Sequence, residues 1–187
     1  MTNAAAPNHL RTQRLTLRRW QESDLAPFAA LNCDPEVMRY FPNTLDRAQS
    51  AEMIERIEKS FNENALGLWA VEECGSGAFI GFVGLSRPKF EAHFTPCVEV
   101  GWRLAQQFWG KGYAMEAAQA ALKDGFERLA LTEIVSFTSK LNQRSIRVME
   151  RLKMTTAERE DFLHPVLEPD HPLCLHVLYR LKTGESV

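Results

Sequence analysis

The sequence lacks the features that mark membrane, nucleic-acid-binding and disordered proteins. No stretch approaches the roughly 18 consecutive apolar residues that a membrane-spanning helix needs. Neither sign of charge dominates, because 22 Lys and Arg residues stand against 24 Asp and Glu residues, for a formal net charge of -2. General nucleic-acid binding requires a basic surface, and an acidic disordered tail requires an excess of carboxylates. We therefore expect neither a nucleic-acid nor a membrane partner.

Cysteine is scarce and dispersed. The chain has four cysteines in 187 residues, and no two of them show the spacing of a zinc finger or a CxxC motif. This pattern favours reduced thiols in a cytoplasmic protein. Residues 1–9 are polar and Ala-rich, without the basic and then apolar regions of a secretory signal. We predict a flexible N-terminal extension over residues 1–9 and one domain over residues 10–187.

Hydrophobic periodicity predicts that this domain is a single mixed α/β sheet with helices. Strands are expected at 15–20, 68–71, 78–85, 97–104, 132–138, 155–162 and 173–181, where apolar residues alternate or run together. Cap residues predict helices that begin near Asp24, Asp34, Asp46 and Asn142. The helix at Asp34 is short and extends to about Tyr40. A further helix follows Gly112 and extends to about 128, and its many alanines can approach a sheet closely.

The segment 107–114, between a strand and a helix, carries the clearest chemical signal. Gly110 and Gly112 allow a tight turn, and the free amides at the start of the next helix can bind an anion such as a pyrophosphate. An ordinary turn with two glycines would show the same pair. A P-loop is excluded, because no glycine stands five residues before Gly110 and Lys111 is followed by glycine. A dinucleotide-binding fingerprint, GxGxxG or GxGxxA, is excluded because Met115 stands where the third conserved Gly or Ala would be.

What does fit is Gln107-x-x-Gly110-x-Gly112 followed by Tyr113-Ala114, which resembles motif A of the GNAT superfamily of acetyl-CoA-dependent N-acetyltransferases. Further ordered segments resemble the ribosomal-protein N-terminal acetyltransferase branch, RimJ/RimL-like: 10–18, 34–38, 80–85, 98–102 and 142–145. The resemblance covers nearly the whole chain. It implies a mixed, mostly antiparallel twisted sheet of about seven strands flanked by about four or five helices. In this fold the fourth and fifth strands, here 97–104 and 132–138, splay apart.

The resemblance also implies where acetyl-CoA binds. The pantetheine arm is expected in the gap between the splayed strands, along the backbone of Val100, Gly101 and Trp102. The amides of the glycine-containing turn are expected to hold the pyrophosphate, and Asn142 to contact the pantetheine or acetyl end. The residues of that turn are Gln107, Phe108, Trp109, Gly110, Lys111, Gly112, Tyr113 and Ala114. Lys111 would add a cation there or remain a solvated lysine, and Asn142 also suits a helix N-cap.

The implied reaction is direct attack of a primary amine on the thioester, in a ternary complex. Glu99 is the candidate general base, because strand alternation turns it away from Val98 and Val100, at the splay. The alternative is an exposed polar residue on a half-wet strand. Ser145 is the candidate group for positioning or protonating the CoA thiolate, and a capping role is the alternative. Many relatives use a tyrosine farther along this helix, where this sequence has Met149.

The acceptor pocket carries no motif, so its residues are hypotheses drawn from the same branch. Tyr40, Phe41 and Phe90 are the candidate wall residues. The acceptor could be a protein N-terminus or a small amine, and a homodimer is left open. A metal site is not expected, because the last three histidines are spaced by seven and five residues, which fits no common ligand pair. The alternative function is a non-catalytic acyl-CoA-binding or regulatory module with the same fold.

Overall fold

The computed structural model describes residues 6–185, which form one nine-stranded sheet and four α-helices. In chain order the strands are β1 (His9–Arg11), β2 (Leu15–Arg18), β3 (Leu68–Glu73), β4 (Phe79–Ser86), β5 (Glu99–Leu104), β6 (Glu133–Ser139), β7 (Thr155–Thr156), β8 (Phe162–Leu163) and β9 (Leu175–Lys182). The helices are α1 (Leu25–Cys33), α2 (Arg47–Asn64), α3 (Tyr113–Glu127) and α4 (Gln143–Arg151). None of these helices is long and apolar enough to cross a membrane.

The strands follow the order β1-β2-β3-β4-β5-β6-β9-β7 across the sheet, and β8 also pairs with β9. Every pairing is antiparallel except that of β5 with β6. The parallel pairing consists of one residue pair, Glu99 opposite Val135, whereas β4 and β5 pair over six residues. The predicted mixed sheet is therefore confirmed, and the two strands that splay apart, the fourth and fifth of the prediction, are β5 and β6. The sheet has more strands than expected because several two- and three-residue strands extend its edges.

Helix α3 lies close to the sheet because its inner face is made of small residues. Ala117, Ala118 and Ala121 are buried, as their spacing predicts. Gly125 continues this face, and a Cβ there would come within 2.8 Å of Ile134 and Leu85 side-chain atoms. A larger residue at Gly125 would therefore push the C-terminal part of α3 away from β4 and β6.

The segment 34–46 between α1 and α2 corrects one prediction, because 34–40 forms turns and not a helix. The Asp34 side chain accepts the backbone N–H of Glu36, and the Met38 carbonyl accepts that of Phe41. These isolated turns still bury Val37 and Met38. An aspartate followed by proline starts a turn as readily as a helix. The Asp46 signal was correct: its side chain and that of Gln49 form a reciprocal capping box at the start of α2.

The two ends of the chain also differ in detail from the expected elements. The predicted strand 155–162 is divided into β7 and β8, because residues Glu158–Glu160 form a 3-10 turn between them. Glu160 in this turn is bound by Arg180 of β9, which fixes the interruption. The predicted extension over 1–9 lies partly outside the described residues. Within them, the Asn8 carbonyl accepts the N–H of Arg19 and His9 begins β1.

Candidate active site

The gap between β5 and β6 is the centre of the candidate site. The Val135 N–H donates to the Val98 carbonyl at 2.9 Å, and the Ala105 N–H donates to Ile80 on the other side of β5. Because backbone groups alternate along a strand, the N–H and C=O of Trp102 point towards the gap, and those of Gly101 towards β4. Of the three backbone positions predicted to contact pantetheine, the structure therefore turns Val100 and Trp102 towards the gap and pairs Gly101 with Gly84.

The glycine-containing turn lies at the start of α3, and its residues from Gly110 to Ala114 are called the cradle below because an anion-binding site is predicted there. Gly110 and Gly112 have φ values of 75° and 81°, in the left-handed region that glycine adopts easily. The described residues provide no backbone acceptor for the amides from Gly110 to Ala114, whereas the Glu116 N–H bonds back to Gly112. The surroundings of Gly110 are open, since a Cβ added there would meet no atom within 4 Å. Five consecutive free amides and the helix dipole favour a bound anion here.

The first part of the predicted phosphate segment is used differently. The N–H groups of Phe108 and Trp109 donate within the 3-10 turn Gln106–Phe108, and the Gln107 side chain is exposed. The indole N–H of Trp109 donates to the Leu104 carbonyl at 2.7 Å. This bond caps the free edge of β5, so Trp109 closes the end of the gap nearest the cradle.

Arg14, from the β1–β2 connection, holds the cradle in place. Its guanidinium donates to the Lys111 carbonyl at 2.9 Å and to the Glu116 carboxylate at 2.6 Å. Glu116 also accepts from the Thr12 hydroxyl and the Arg14 amide, and its pKa is lowered by these bonds against the opposing effect of burial. A Cβ on Gly112 would lie 3.4 Å from an Arg14 nitrogen. Arg14 therefore supplies positive charge beside the cradle as well as support.

Two aromatic residues complete the cradle's walls. The Tyr113 hydroxyl hydrogen-bonds the Glu73 carboxylate on β3, and this bond raises the pKa of Tyr113. The Lys111 ammonium lies over the rings of Phe108 and Tyr113, at 5.1 and 5.9 Å from their centroids. Lys111 is exposed and remains close to the free amides, where a cation would stabilise a bound phosphate.

Asn142 and Ser145 are brought together at the start of α4. The Asn142 side chain accepts the Ser145 N–H at 3.2 Å, which is the predicted N-cap. Its amide N–H groups donate to the hydroxyls of Thr138 on β6 and of Ser145, at 3.0 and 3.1 Å. The Ser145 oxygen accepts a bond from Asn142, so its own proton remains available for donation. Asn142 thus acts as the helix cap and orients the Ser145 hydroxyl.

Glu99 lies on the sheet face opposite Val98 and Val100, at the point where β5 and β6 separate. It is half-buried, and burial raises its pKa to about 8, with only the Ser86 hydroxyl at 3.4 Å opposing the shift. Neighbouring Cys97 has its pKa raised to about 11, first by burial and then by the Glu99 charge. A carboxyl group with this pKa titrates close to neutral pH and can accept a proton.

An aromatic cluster borders Glu99 on the same face, since its partner residue Val135 packs within it. The cluster consists of Phe90, Phe94, Phe137, Phe162, His164 and His176. Burial lowers the pKa of His164, and that of His176 to about 4, so both rings are neutral at pH 7. Phe90, a predicted wall residue, packs 5.6 Å from Phe137 and 4.7 Å from His164 between ring centroids.

The other predicted wall residues, Tyr40 and Phe41, lie on the irregular segment between α1 and α2. The Phe41 ring covers the guanidinium of Arg103, whose central carbon lies 4.1 Å from the ring centroid. The Tyr40 ring lies against Arg39, whose guanidinium carbon is 5.8 Å from the ring centroid, and its place in the pocket wall stays a prediction. Within residues 6–185, no three His, Cys, Asp or Glu side chains are grouped closely enough to hold a metal ion.

Comparison with known proteins agrees with this geometry. The family model for the acetyltransferase (GNAT) domain matches residues 14–155, and the chain therefore belongs to the GNAT acetyltransferase family. The chain is 32% identical over 150 residues to YkkB of Bacillus subtilis, covering 80% of this chain and 86% of that protein. It is 30% identical over 168 residues to the FsC-acetyl coenzyme A-N(2)-transacetylase of Aspergillus fumigatus, covering 84% and 69%.

Among solved structures, the acetyltransferase from Agrobacterium tumefaciens superimposes with a TM-score of 0.76 and 26% identity, covering 97% of this chain and 98% of that one. The GNAT fold and the transferase class are thereby established. The three relatives do not single out the RimJ/RimL-like branch, which stays a prediction.

Several site residues carry no signal that sequence reasoning could use. Arg14 contacts Glu116 across 102 positions, and Arg103 contacts Asn32 across 71. Arg144 stacks on Trp109 at 4.3 Å and pairs with Glu36, which links α4, the cradle and the segment 34–46. The alternation of side chains along β5 indicated only that Arg103 and Glu99 share a sheet face. The other contacts depend on the tertiary fold.

Proposed function

We propose that this protein is an acetyl-CoA-dependent N-acetyltransferase that acts on a primary amine, either a protein N-terminus or a small amine. The observation that carries the proposal is the placement of Glu99 at one end of the β5–β6 gap and of the five free amides near its other end. GNAT enzymes use acetyl-CoA, and the name of the Aspergillus relative describes transfer from acetyl coenzyme A to nitrogen. This supports N-acetylation here.

The residues present suit acetyl-CoA. The free amides from Gly110 to Ala114, with Lys111 and Arg14 close by, would hold the pyrophosphate, and the open backbone edge at Val100 and Trp102 would pair with the pantetheine amides. The two carboxylates beside this segment both have partners, because Glu116 is bound by Arg14 and Thr12, and Glu73 accepts from the Tyr113 and Ser76 hydroxyls. When bound, acetyl-CoA supplies an acetyl group activated as a thioester.

Glu99 is assigned as the general base. A primary amine is mostly protonated at pH 7 and must lose a proton before it attacks. Glu99 in its ionised form accepts that proton, directly or through water, and the neutral amine then attacks the thioester carbonyl. The second proton of the nitrogen is lost as the C–S bond breaks and the thiolate leaves. The pKa of about 8 makes it a stronger base than an ordinary glutamate. Its low-dielectric surroundings also strengthen its attraction for the acceptor ammonium.

Ser145 is assigned to the departing sulfur. The Asn142 amide donates to the oxygen of Ser145, and this leaves the Ser145 hydroxyl free to donate a hydrogen bond that stabilises the departing thiolate. Ser145 is half-buried at the start of α4, where the helix dipole also favours a negative charge. We propose no tyrosine acid, because Met149 is buried in the corresponding helix.

Thiol release from acetyl-CoA, followed with a panel of amines and peptides, tests the proposal. Wild-type protein should release thiol only when a suitable amine is present. Gly112→Trp should abolish acetyl-CoA binding, because a large side chain with a strained φ would fill the cradle. Gly184→Trp, a positive-φ glycine outside the site, is the matched control and should bind normally. Tight CoA binding without turnover on any amine would favour the non-catalytic module, which nothing in the comparisons supports.

Localisation and assembly belong to the same proposal. The described cysteines are all free, and two of them, Cys33 and Cys74, are exposed, which favours a reducing cytoplasm. A homodimer remains an expectation, and size-exclusion chromatography with light scattering measures it directly.

A further inference from the structure

Arg103 differs from the other well-buried arginines of this chain. Its residue surface is 9% exposed, yet no described carboxylate lies within ion-pair distance. By contrast, Arg18 binds Asp24 and Glu72, Arg128 binds Asp124, and Arg180 binds Glu133 and Glu160. Burial of an uncompensated charge is costly, and it lowers the pKa of Arg103 to about 10.

The guanidinium has an unoccupied hydrogen-bonding edge. Nη1 donates to the Asn32 side-chain oxygen at 2.6 Å, and Asn32 is itself fixed by the Ser50 hydroxyl at 3.0 Å. The Nε group is buried without any partner in the structure. Phe41 covers one face at 4.1 Å, and Phe82 lies 5.3 Å away. Asn32 therefore fixes the guanidinium through one nitrogen, while the buried Nε–H is left without the partner that a carboxylate bound across Nε and Nη2 would supply.

This edge belongs to the face that carries Glu99. Glu99, Gly101 and Arg103 alternate on β5, and each pairs with a residue of β4. Gly101 between them leaves the face open, since a Cβ there would meet only the Glu99 carboxylate, at 3.8 Å. Four residues of strand separate the Cα atoms of Glu99 and Arg103 by about 13 Å. Phe41, which covers Arg103 from the irregular segment 34–46, is 37% exposed and belongs to neither hydrophobic cluster of the described chain.

We infer that the acceptor is an amino-carboxylate, a molecule that presents its amine to Glu99 and its carboxylate to the free edge of Arg103. The inference rests on the proposed function, because it assigns the acceptor of that same site. Arg103 is thus a specificity-determining residue. A carboxylate would complete the guanidinium's hydrogen bonds and neutralise its buried charge, whereas an amide or a methyl group would leave the Nε–H unpaired.

Two kinds of probe test this inference. A series of ω-amino acids from β-alanine to 6-aminohexanoate is compared with the corresponding ω-amino amides and alkylamines. Binding to the CoA-loaded protein is measured by calorimetry, and kcat/KM by thiol release. The wild type should prefer the best amino acid to its amide by about 10- to 100-fold, the range for a hydrogen bond to a charged group. Equal binding of acid and amide along the whole series would overturn the inference without any variant.

Variants separate recognition of the carboxylate from support of the segment 34–46. Arg103→Met should remove the preference, and Arg103→Lys should retain part of it, with the KM for acetyl-CoA within twofold of wild type. Arg39→Met, which removes an exposed charge from the same segment, should keep the full preference. A uniform loss for acids, amides and alkylamines in Arg103→Met would assign Arg103 a structural role and refute the inference. If carboxylates bind preferentially but no amine is acetylated, only the proposed function fails.

Discussion

Replacement of Glu99 by glutamine tests the assignment of the base through its pH dependence. The substitution removes the carboxylate and keeps its shape and its neighbour Ser86. With a pKa of about 8, Glu99 is ionised in about one molecule in ten at pH 7 and about one in a hundred at pH 6. The wild-type rate that depends on this base therefore falls about tenfold for each pH unit below 8. The variant has no group that titrates at this position.

The expected loss of kcat/KM in Glu99→Gln follows from the rate acceleration that a general base provides. Positioned bases accelerate reactions by about 10²- to 10⁴-fold. We expect the ratio of wild-type to Glu99→Gln kcat/KM to be at least about 100 at pH 8 and to decrease about tenfold per unit towards pH 6. Protonation of the acceptor amine affects both proteins equally, and it cancels in this ratio. The ratio thus reports Glu99 alone.

The assay is thiol release at pH 6, 7 and 8 with one amine acceptor and saturating acetyl-CoA. Acetyl-CoA affinity should differ by less than twofold between the two proteins, because Glu99 lies on the opposite sheet face from Val100. Glu91→Gln, an exposed carboxylate in the loop 87–98, is the control and should retain wild-type activity. A ratio that stays constant from pH 6 to 8, or full activity of Glu99→Gln, would refute the assignment.

Four further predictions concern stability, binding and turnover. Because the pKa of Glu99 is raised in the folded state, the native protein holds a proton that the unfolded chain has lost between pH 4.5 and about 8. The stability of the wild type should therefore fall as pH rises through that window. The melting temperature of Glu99→Gln should be higher than that of the wild type at pH 8 and equal to it near pH 4.5. Equal melting temperatures at pH 8 would contradict the raised pKa of Glu99. Arg14→Met should raise the KM for acetyl-CoA about 10-fold through loss of a charged contact, with kcat almost unchanged. Arg39→Met is the control and should leave both constants unchanged. An unchanged KM in Arg14→Met would show that Arg14 does not contribute to acetyl-CoA binding. Asn142→Ala should lower the free energy of unfolding by about 1 kcal/mol through loss of the N-cap, as measured by urea denaturation. Ser145→Ala should lower kcat and leave the free energy of unfolding nearly unchanged. A kcat equal to that of the wild type would leave Ser145 only a capping role.

Local signals were sufficient for most of the fold. The cap at Asp46, the alanine face of α3 and the N-cap at Asn142 each depend on residues within a few positions of one another. The segment 34–40 failed because Asp-Pro begins both turns and helices, and the choice was made by burial of Val37 and Met38. The strand predicted over 155–162 is divided into β7 and β8 because a contact of Glu160 with Arg180 fixes the bend between them.

The candidate site was predictable where it follows from the backbone and unpredictable where it depends on distant side chains. The two glycines and strand alternation indicated the cradle, the gap and the face of Glu99. They could not show that Gly101 pairs with β4, since that depends on which residue of β5 begins the pairing. Nor could they place Arg14 beneath Gly112 or Asn32 beside Arg103, because these contacts join segments from opposite parts of the chain.

The single residue pair between β5 and β6 has a mechanical consequence. Strands β1–β5 and β6–β9 form two half-sheets whose only direct ladder contact in the described chain is Glu99 with Val135. A ligand that pairs with both open edges acts as a missing strand between two half-sheets that otherwise meet through shared core side chains. Binding should therefore slow amide exchange on both sides of the gap, including in β6 residues that touch no part of the ligand. The co-substrate would then also be a structural component of the sheet.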